Sequence, residues 1–279
     1  MIDSRPYPAE SENLSIAWCK AFQRALELPQ SNPPPMVVSI TGFKNDEPFE
    51  VAPIRDRLDR LLKTFRRNSC RVSAMVVFPY REWVRHGRPS CEDFSSWCLD
   101  YFAPRLKDRC PRMNRKGLYF ERMMDFKPRA SGTSKVVNQL QHIIDWYRQQ
   151  QSHGQSRPSR SRMQVACFSP AIDHNHECRP FFPCLQQVGF SYDPHPGGGL
   201  TVNAFYPTQL LFDRAYGNYL GLCGLGAFMA HQLGLRLVRV NCFIGRAEIS
   251  GAMARRDLRP LSKLVNEVLS EAGEDTGDD

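Results

Sequence analysis

A chain of 279 residues with 42% apolar and 11% aromatic content is long enough for one sizeable α/β core and too rich in core-formers to be disordered. No run of about 18 uncharged apolar residues occurs, which excludes a membrane-spanning helix, and the opening MIDSRPYPAESENLS lacks the basic-then-apolar order of a secretion signal, so a cytoplasmic protein is expected. The formal charge of +8 raises nucleic acid as a partner. Much of the excess arginine, however, falls in RDRLDRLLKTFRR (55–67) and RPSRSR (157–162). The first mixes acids with bases like a solvated helix face, and the second is short, more like a small-anion site than a nucleic-acid arm.

In chain order, residues 1–35 read as a leader, with a short helix near Leu14–Leu28 and a linker rich in proline (Pro29, Pro33, Pro34, Pro35). A main domain then spans 36–269, and an acidic tail at 270–279 is expected to be disordered. Met36–Ile40 is a β-branched strand. Ile54–Phe65 puts Ile54, Leu58, Leu61, Leu62 and Phe65 on one helical stripe, and VSAMVVF (72–78) reads as a strand stopped by Pro79. Helices follow at Phe94–Leu106 and Val136–Gln149, then a polar loop over 150–161. Met163–Phe168 is a strand and Ser169–Arg179 a polar loop. Cys184–Tyr192 and Leu200–Tyr206 form a hairpin across DPHPGGG. Asn218–Leu233 is apolar on nearly every face and so is a buried helix, with glycines that invite close packing. Leu235–Phe243 is a further strand.

Ten cysteines occur, at 19, 70, 91, 98, 110, 167, 178, 184, 223 and 242, with no CxxC pair. A reducing cytosol keeps such thiols free, and most serve as small apolar residues. DHNHEC (173–178) offers metal-ligand types, but no distant pair completes a site, so no metal is expected. His231 reads as a core histidine, and Gly197–Gly199 as turn residues with no helix after them to cradle a phosphate.

From about residue 110 to 265 the order of short motifs resembles the thymidylate synthase superfamily. Ser161-Arg162 leads into Met163–Phe168, then Phe168-Ser169-Pro170, then Pro183-Cys184. LTVNAFYPTQLLFDRAYGN (200–218) matches the family segment that ends on its base-reading asparagine, here Asn218. MAHQLGL (229–235) resembles the end of the family's central helix, and GRAEIS (245–250) stands where the family has Gly-Asp-x-His-x-Tyr. GLYFERM (117–123) and VNQL (137–140) resemble two upstream elements. The resemblance implies an α/β sandwich around a mixed β-sheet, with the sheets of two subunits packed back to back in a homodimer that shares active sites. It makes Cys184 the nucleophile that adds to C6 of a pyrimidine, so that C5 can attack a one-carbon electrophile such as 5,10-methylenetetrahydrofolate. Asn218 would read the base and Tyr119 assist proton removal. Arg162, with Arg160 nearby, would hold an anionic group, Arg162 reaching across from the partner. Gln186, Gln187, Ser169, Asn203, Thr208 and Glu248 complete the expected binding set. A nucleotide-like small molecule is the expected substrate.

The departures are equally specific. The family's Arg-Ser phosphate pair is Pro207-Thr208, which removes a guanidinium and a backbone donor; Arg214 and Arg179 are the nearby cations that could substitute. The sugar-gripping His and Tyr are Glu248 and Ser250, the pterin-binding Asp is Leu210, and the segment expected to close over folate is not matched. Two alternatives follow: a non-catalytic binding or scaffold protein on the same fold, or a transferase for a specialised small molecule.

Overall fold

The computed structural model describes residues 5–28, 33–109, 117–126, 137–152, 160–174, 183–193, 198–250 and 255–272. In chain order they form β1 (Tyr7–Ser11), α1 (Leu14–Glu27), β2 (Met36–Ile40) and the short strands β3 (Phe43–Lys44) and β4 (Glu47–Pro48). The helices α2 (Ala52–Thr64), α3 (Cys70–Val77), α4 (Tyr80–Arg85), α5 (Cys91–Trp97), α6 (Ala103–Arg109), α7 (Tyr119–Met124) and α8 (Gln139–Ser152) follow. The second half holds β5 (Gln164–Ala166), the one-turn α9 (Pro170–Asp173), β6 (Gln187–Tyr192), β7 (Gly199–Leu210), α10 (Tyr216–Leu233), β8 (Arg236–Glu248) and α11 (Arg259–Glu271). Widened helical turns, Cys98–Phe102 and Leu211–Ala215, run directly into α6 and α10.

A six-stranded mixed sheet in the order β1-β2-β8-β7-β6-β5 organises the fold. β1 is parallel to β2 and β7 to β8, while the other neighbours are antiparallel. One face is apolar: Val38, Val188, Phe190, Val202, Ala204 and Cys242 are buried under the helices. The opposite face carries no helix among the described residues. There Phe205 pairs with Phe243, which pairs with Val37, and each phenylalanine keeps 42% of its surface exposed. Beside them runs a polar ladder in which Ser39 Oγ donates to Asn241 Oδ1 (2.7 Å) and Asn241 Nδ2 to Asn203 Oδ1 (2.8 Å).

The buried helix α10 is as its sequence reads, apolar all round and ended by Gly234 in the left-handed region (φ 68°). Its glycines are there for α3. A Cβ on Gly217 would fall 2.5 Å from Cys70 O, and one on Gly221 2.5 Å from Val77 Cβ, so the two helices meet almost backbone to backbone. None of the described helices is long and apolar enough to cross a membrane.

Two readings need correction. VSAMVVF (72–78) is not a strand, because α3 occupies it. Ser69 Oγ accepts from Val72 N (3.3 Å) and Asp59 Oδ1 from Cys70 N (2.8 Å), which nucleates a helix that the glycine face of α10 then buries. Tertiary packing overrides β-propensity here. Nor is the N-terminal segment a leader. β1 adds an edge strand to the sheet, and α1, capped by Asn13, seals Trp18 and Phe22 in the core, with Trp18 Nε1 donating to Leu211 O at 2.9 Å. The domain therefore starts near Tyr7. The helix expected over 94–106 is α5, a widened turn and α6 in continuous succession. The tip of the β6–β7 hairpin (194–197), much of the loop over 150–161 and the tail beyond 272 lie outside the described residues.

Candidate active site

Cys184 lies in a short extended lead-in to β6. The lead-in is fixed on both sides by backbone: Gln186 N donates to Phe205 O (3.0 Å), and Gln186 O accepts from Cys167 N (2.8 Å) and Phe168 N (3.2 Å). Tyr119, the first residue of α7, places its hydroxyl 3.5 Å from Leu185 N, next to the cysteine. Cys184 is exposed, whereas Cys19, Cys70, Cys91, Cys98, Cys167, Cys223 and Cys242 are buried. Cys110 and Cys178 lie outside the described residues.

The electrostatics pull in two directions. Partial burial of the Cys184 sulfur pushes its pKa up, and the Arg214 guanidinium pulls it back down. Burial also raises the Tyr119 phenol, Cys184 adding to the shift and Arg214 opposing it. Cys184, Tyr119 and Arg214 thus share one electrostatic neighbourhood. Arg214 belongs to the widened turn that flows into α10, and buried Asn218 stands one helical turn further along the same run. Below Tyr119 the Tyr206 hydroxyl is sealed with no hydrogen-bond partner among the described residues.

A buried network holds Tyr119 in place. Arg122, one turn along α7, makes a bidentate pair with Asp173 (2.7 and 2.8 Å) and donates to Cys167 O (2.7 Å). Gln139 bridges Arg122 O (3.0 Å) and both backbone groups of Ala166 (2.9 and 2.8 Å). Lys107 pairs with Glu121, whose other oxygen takes Leu118 N (3.1 Å). The sequence offers Asp173 only as a metal-ligand type within DHNHEC, and gives Arg122 no role. The signal available was a charged residue inside the apolar run LYFERMM.

The other expected residues divide. Gln186, the residue before β6, is half-buried and is held by its backbone to Phe205, Cys167 and Phe168, while its neighbour Leu185 is sealed in the core and Cys184 stands exposed at the bend before it. Ser169 is buried beside the network, its N–H donating to Asp173 Oδ2 (2.8 Å). Gln187 and Asn203 do not join them. Both stand on the open face, where Gln187 donates to Gln164 and Asn203 is tied to Asn241 and to Ser191 (3.4 Å). Thr208 is across the ladder from Arg246, which holds Glu248 at 2.7 Å. Its neighbour Gln209 points the other way, accepting from the Tyr219 hydroxyl (2.9 Å) on α10. Arg162 is exposed on the tight turn Arg160–Arg162 before the edge strand β5. Of DHNHEC, Asp173 is taken by Arg122 and His174 packs on Phe168, while 175–178 lie outside the described residues. No group of three metal-type side chains occurs among the described residues. Comparison with protein-family models gives no match, and neither does comparison with curated proteins.

Proposed function

We propose that this chain is a one-carbon transferase of the thymidylate synthase type, acting on C5 of a pyrimidine nucleotide or a similar ring through a Cys184 adduct. The observation that carries the reading is the contrast among the cysteines: Cys184 alone among the described ones is exposed, with a phenol and a guanidinium in its field. A thiolate at 184 forms an Sγ–C6 bond, and the C5–C6 π pair moves towards C5 and the ring carbonyl, where an amide such as Asn218 suits the developing charge. C5 then bonds to an electrophilic carbon at the aldehyde level, whose oxygen gains a proton. Loss of the C5 proton and departure of the thiolate from C6 restore the ring as a hydroxymethyl product. Tyr119, as phenol rather than phenolate, relays that proton.

Methylenetetrahydrofolate in the family's pose does not fit the residues present. By the motif resemblance the pterin-binding carboxylate is replaced by Leu210, which is half-buried at the end of β7, so no step is routed through folate. The test is tritium release from C5-labelled uridylate, cytidylate and their deoxy forms with formaldehyde as the one-carbon donor. Cys184-dependent release is expected, and silence across all four substrates removes the reading.

The open sheet face supports the accompanying proposal of a back-to-back homodimer. Phe205 and Phe243, adjacent and half-exposed, are apolar surface that a second copy would cover. Phe205→Lys with Phe243→Lys should convert a dimer to a monomer in sedimentation, with Arg162-dependent activity lost alongside. A second reading, a binding protein without turnover, draws on the raised rather than lowered Cys184 pKa. Thermal-shift screening of nucleotides separates it: stabilisation without tritium release, unchanged in Cys184→Ser, is its signature.

A further inference from the structure

A cavity of about 300 Å³ opens between the β3–β4 hairpin and the helices α2, α3, α4 and α10, and its lining shares no residue with the Cys184 site. Its walls are held by bonds of their own. The hairpin turns through Asn45 and Asp46, both with positive φ (52° and 68°), which fixes a tight two-residue turn. Glu50 is clamped between Arg55 (2.7 Å) and the Tyr216 hydroxyl (2.8 Å), and Asp59 is tied to the first turn of α3. The floor is apolar, built from Met75, Phe78, Leu220 and the Tyr80 ring, and α10 contributes no side chain at Gly224.

Charge sets the kind of occupant. Five carboxylates line the cavity (Asp46, Glu47, Glu50, Asp56, Asp59) against three guanidiniums (Arg55, Arg71, Arg81), so it is negative in a chain of formal charge +8. Glu50 and Arg55 neutralise each other, and Asp46 reaches Arg88 at 3.5 Å. Glu47 and Asp56 have no ion pair among the described residues and, like Arg71 and Arg81, are exposed; Arg55 also lies in the field of Asp56 and Asp59, so it is the excess of carboxylates over guanidiniums around the apolar lining that sets the sign. We propose that this cavity binds a small organic cation, a primary ammonium or guanidinium on an apolar arm. Glu47, Asp56 and Asp59 hold the charge, and the arm lies on Met75, Phe78, Leu220 and the face of Tyr80. Burial, with Asp46 and Glu47 adding and Arg88 opposing, pushes the Tyr80 phenol up to about 12, so its ring is neutral there.

Isothermal titration calorimetry on the full chain carrying Cys184→Ser tests this without reference to the chemistry at Cys184. The probes are phenethylammonium, methylammonium and 3-phenylpropionate. Saturable binding is expected for phenethylammonium, weaker binding for methylammonium, and none for the carboxylate. Glu47→Gln with Asp56→Asn, an exposed pair of changes that the fold tolerates, should weaken phenethylammonium about tenfold. Met75→Trp should fill the cavity and abolish binding. No saturable heat with phenethylammonium, equal binding of the carboxylate, or an affinity unmoved by the Glu47/Asp56 pair overturns the proposal.

Discussion

The Cys167 segment and the Cys184 segment lie side by side, joined by the bond from Cys167 N to Gln186 O, and one residue type meets opposite surroundings in them. Cys167 is sealed under the Arg122–Asp173 pair, and burial pushes its thiol up to about 12. Cys184, in a lead-in held by its backbone, by buried Leu185 and by one long contact to Tyr119, is an exposed residue whose thiol is only partly desolvated. The difference teaches how this architecture separates support from chemistry. Charge is buried in the strap behind the lead-in, and the thiol at 184, the proposed nucleophile, is left at the surface. The strap fixes α7, and α7 fixes the one hydroxyl placed against the lead-in.

The sharpest way to break that contrast is Arg122→Met. It leaves Asp173 buried without its partner, and the expected loss is about 3–5 kcal/mol in urea unfolding. Arg122→Met combined with Asp173→Leu should recover most of it, because the uncompensated charge goes too. A single variant as stable as the parent would mean that the strap is held by packing alone.

Alkali probes the buried side next. Burial raises Cys19, Cys91 and Cys167 from 9.0 to about 12, so above the unfolded value the folded chain keeps protons that the unfolded chain has released. This stabilisation is complete below about pH 9 and declines as the pH climbs towards 12. Urea midpoints should therefore fall between about pH 8 and about pH 10.5. Over the same range iodoacetamide should label Cys184 ahead of the buried cysteines, faster as its raised thiol ionises. Equal labelling of Cys167 in peptide mass spectra would show that the strap opens.

Much of this was legible in the sequence where local chemistry decides structure. The glycine-studded apolar run of α10 and the hairpin β6–β7 read correctly because each carries its own periodicity and turn signals. α3 misread because VSAMVVF has strand composition, and only Ser69, Asp59 and the bare face of α10 make it helical. The open-face positions of Gln187 and Asn203 follow from simple alternation against Val188, Phe190, Val202 and Ala204, which lets only one of Gln186 and Gln187 face the cleft. The Arg122–Asp173 pair left no such trace. Its members are 51 residues apart, and no spacing rule connects them.

The smallest expected effects come from two tyrosines that differ in whether their hydroxyl has anything to do. Tyr119→Phe removes a long contact to Leu185 N, so stability should move by less than about 1 kcal/mol. Turnover, if the phenol relays the C5 proton, should drop about 10²-fold, read as kcat in the tritium assay. Tyr206→Phe is the inverse case. Its hydroxyl is sealed without a partner among the described residues, and burial keeps the phenol far above its ordinary pKa. Deleting it relieves a desolvation penalty and leaves the packed ring, so the variant should be as stable as the parent or more stable by about 1 kcal/mol, with turnover unchanged. A loss of 2 kcal/mol or more (roughly the cost of a broken buried hydrogen bond) would instead reveal a partner for that hydroxyl and extend the polar chemistry of the Cys184 site down to the sheet.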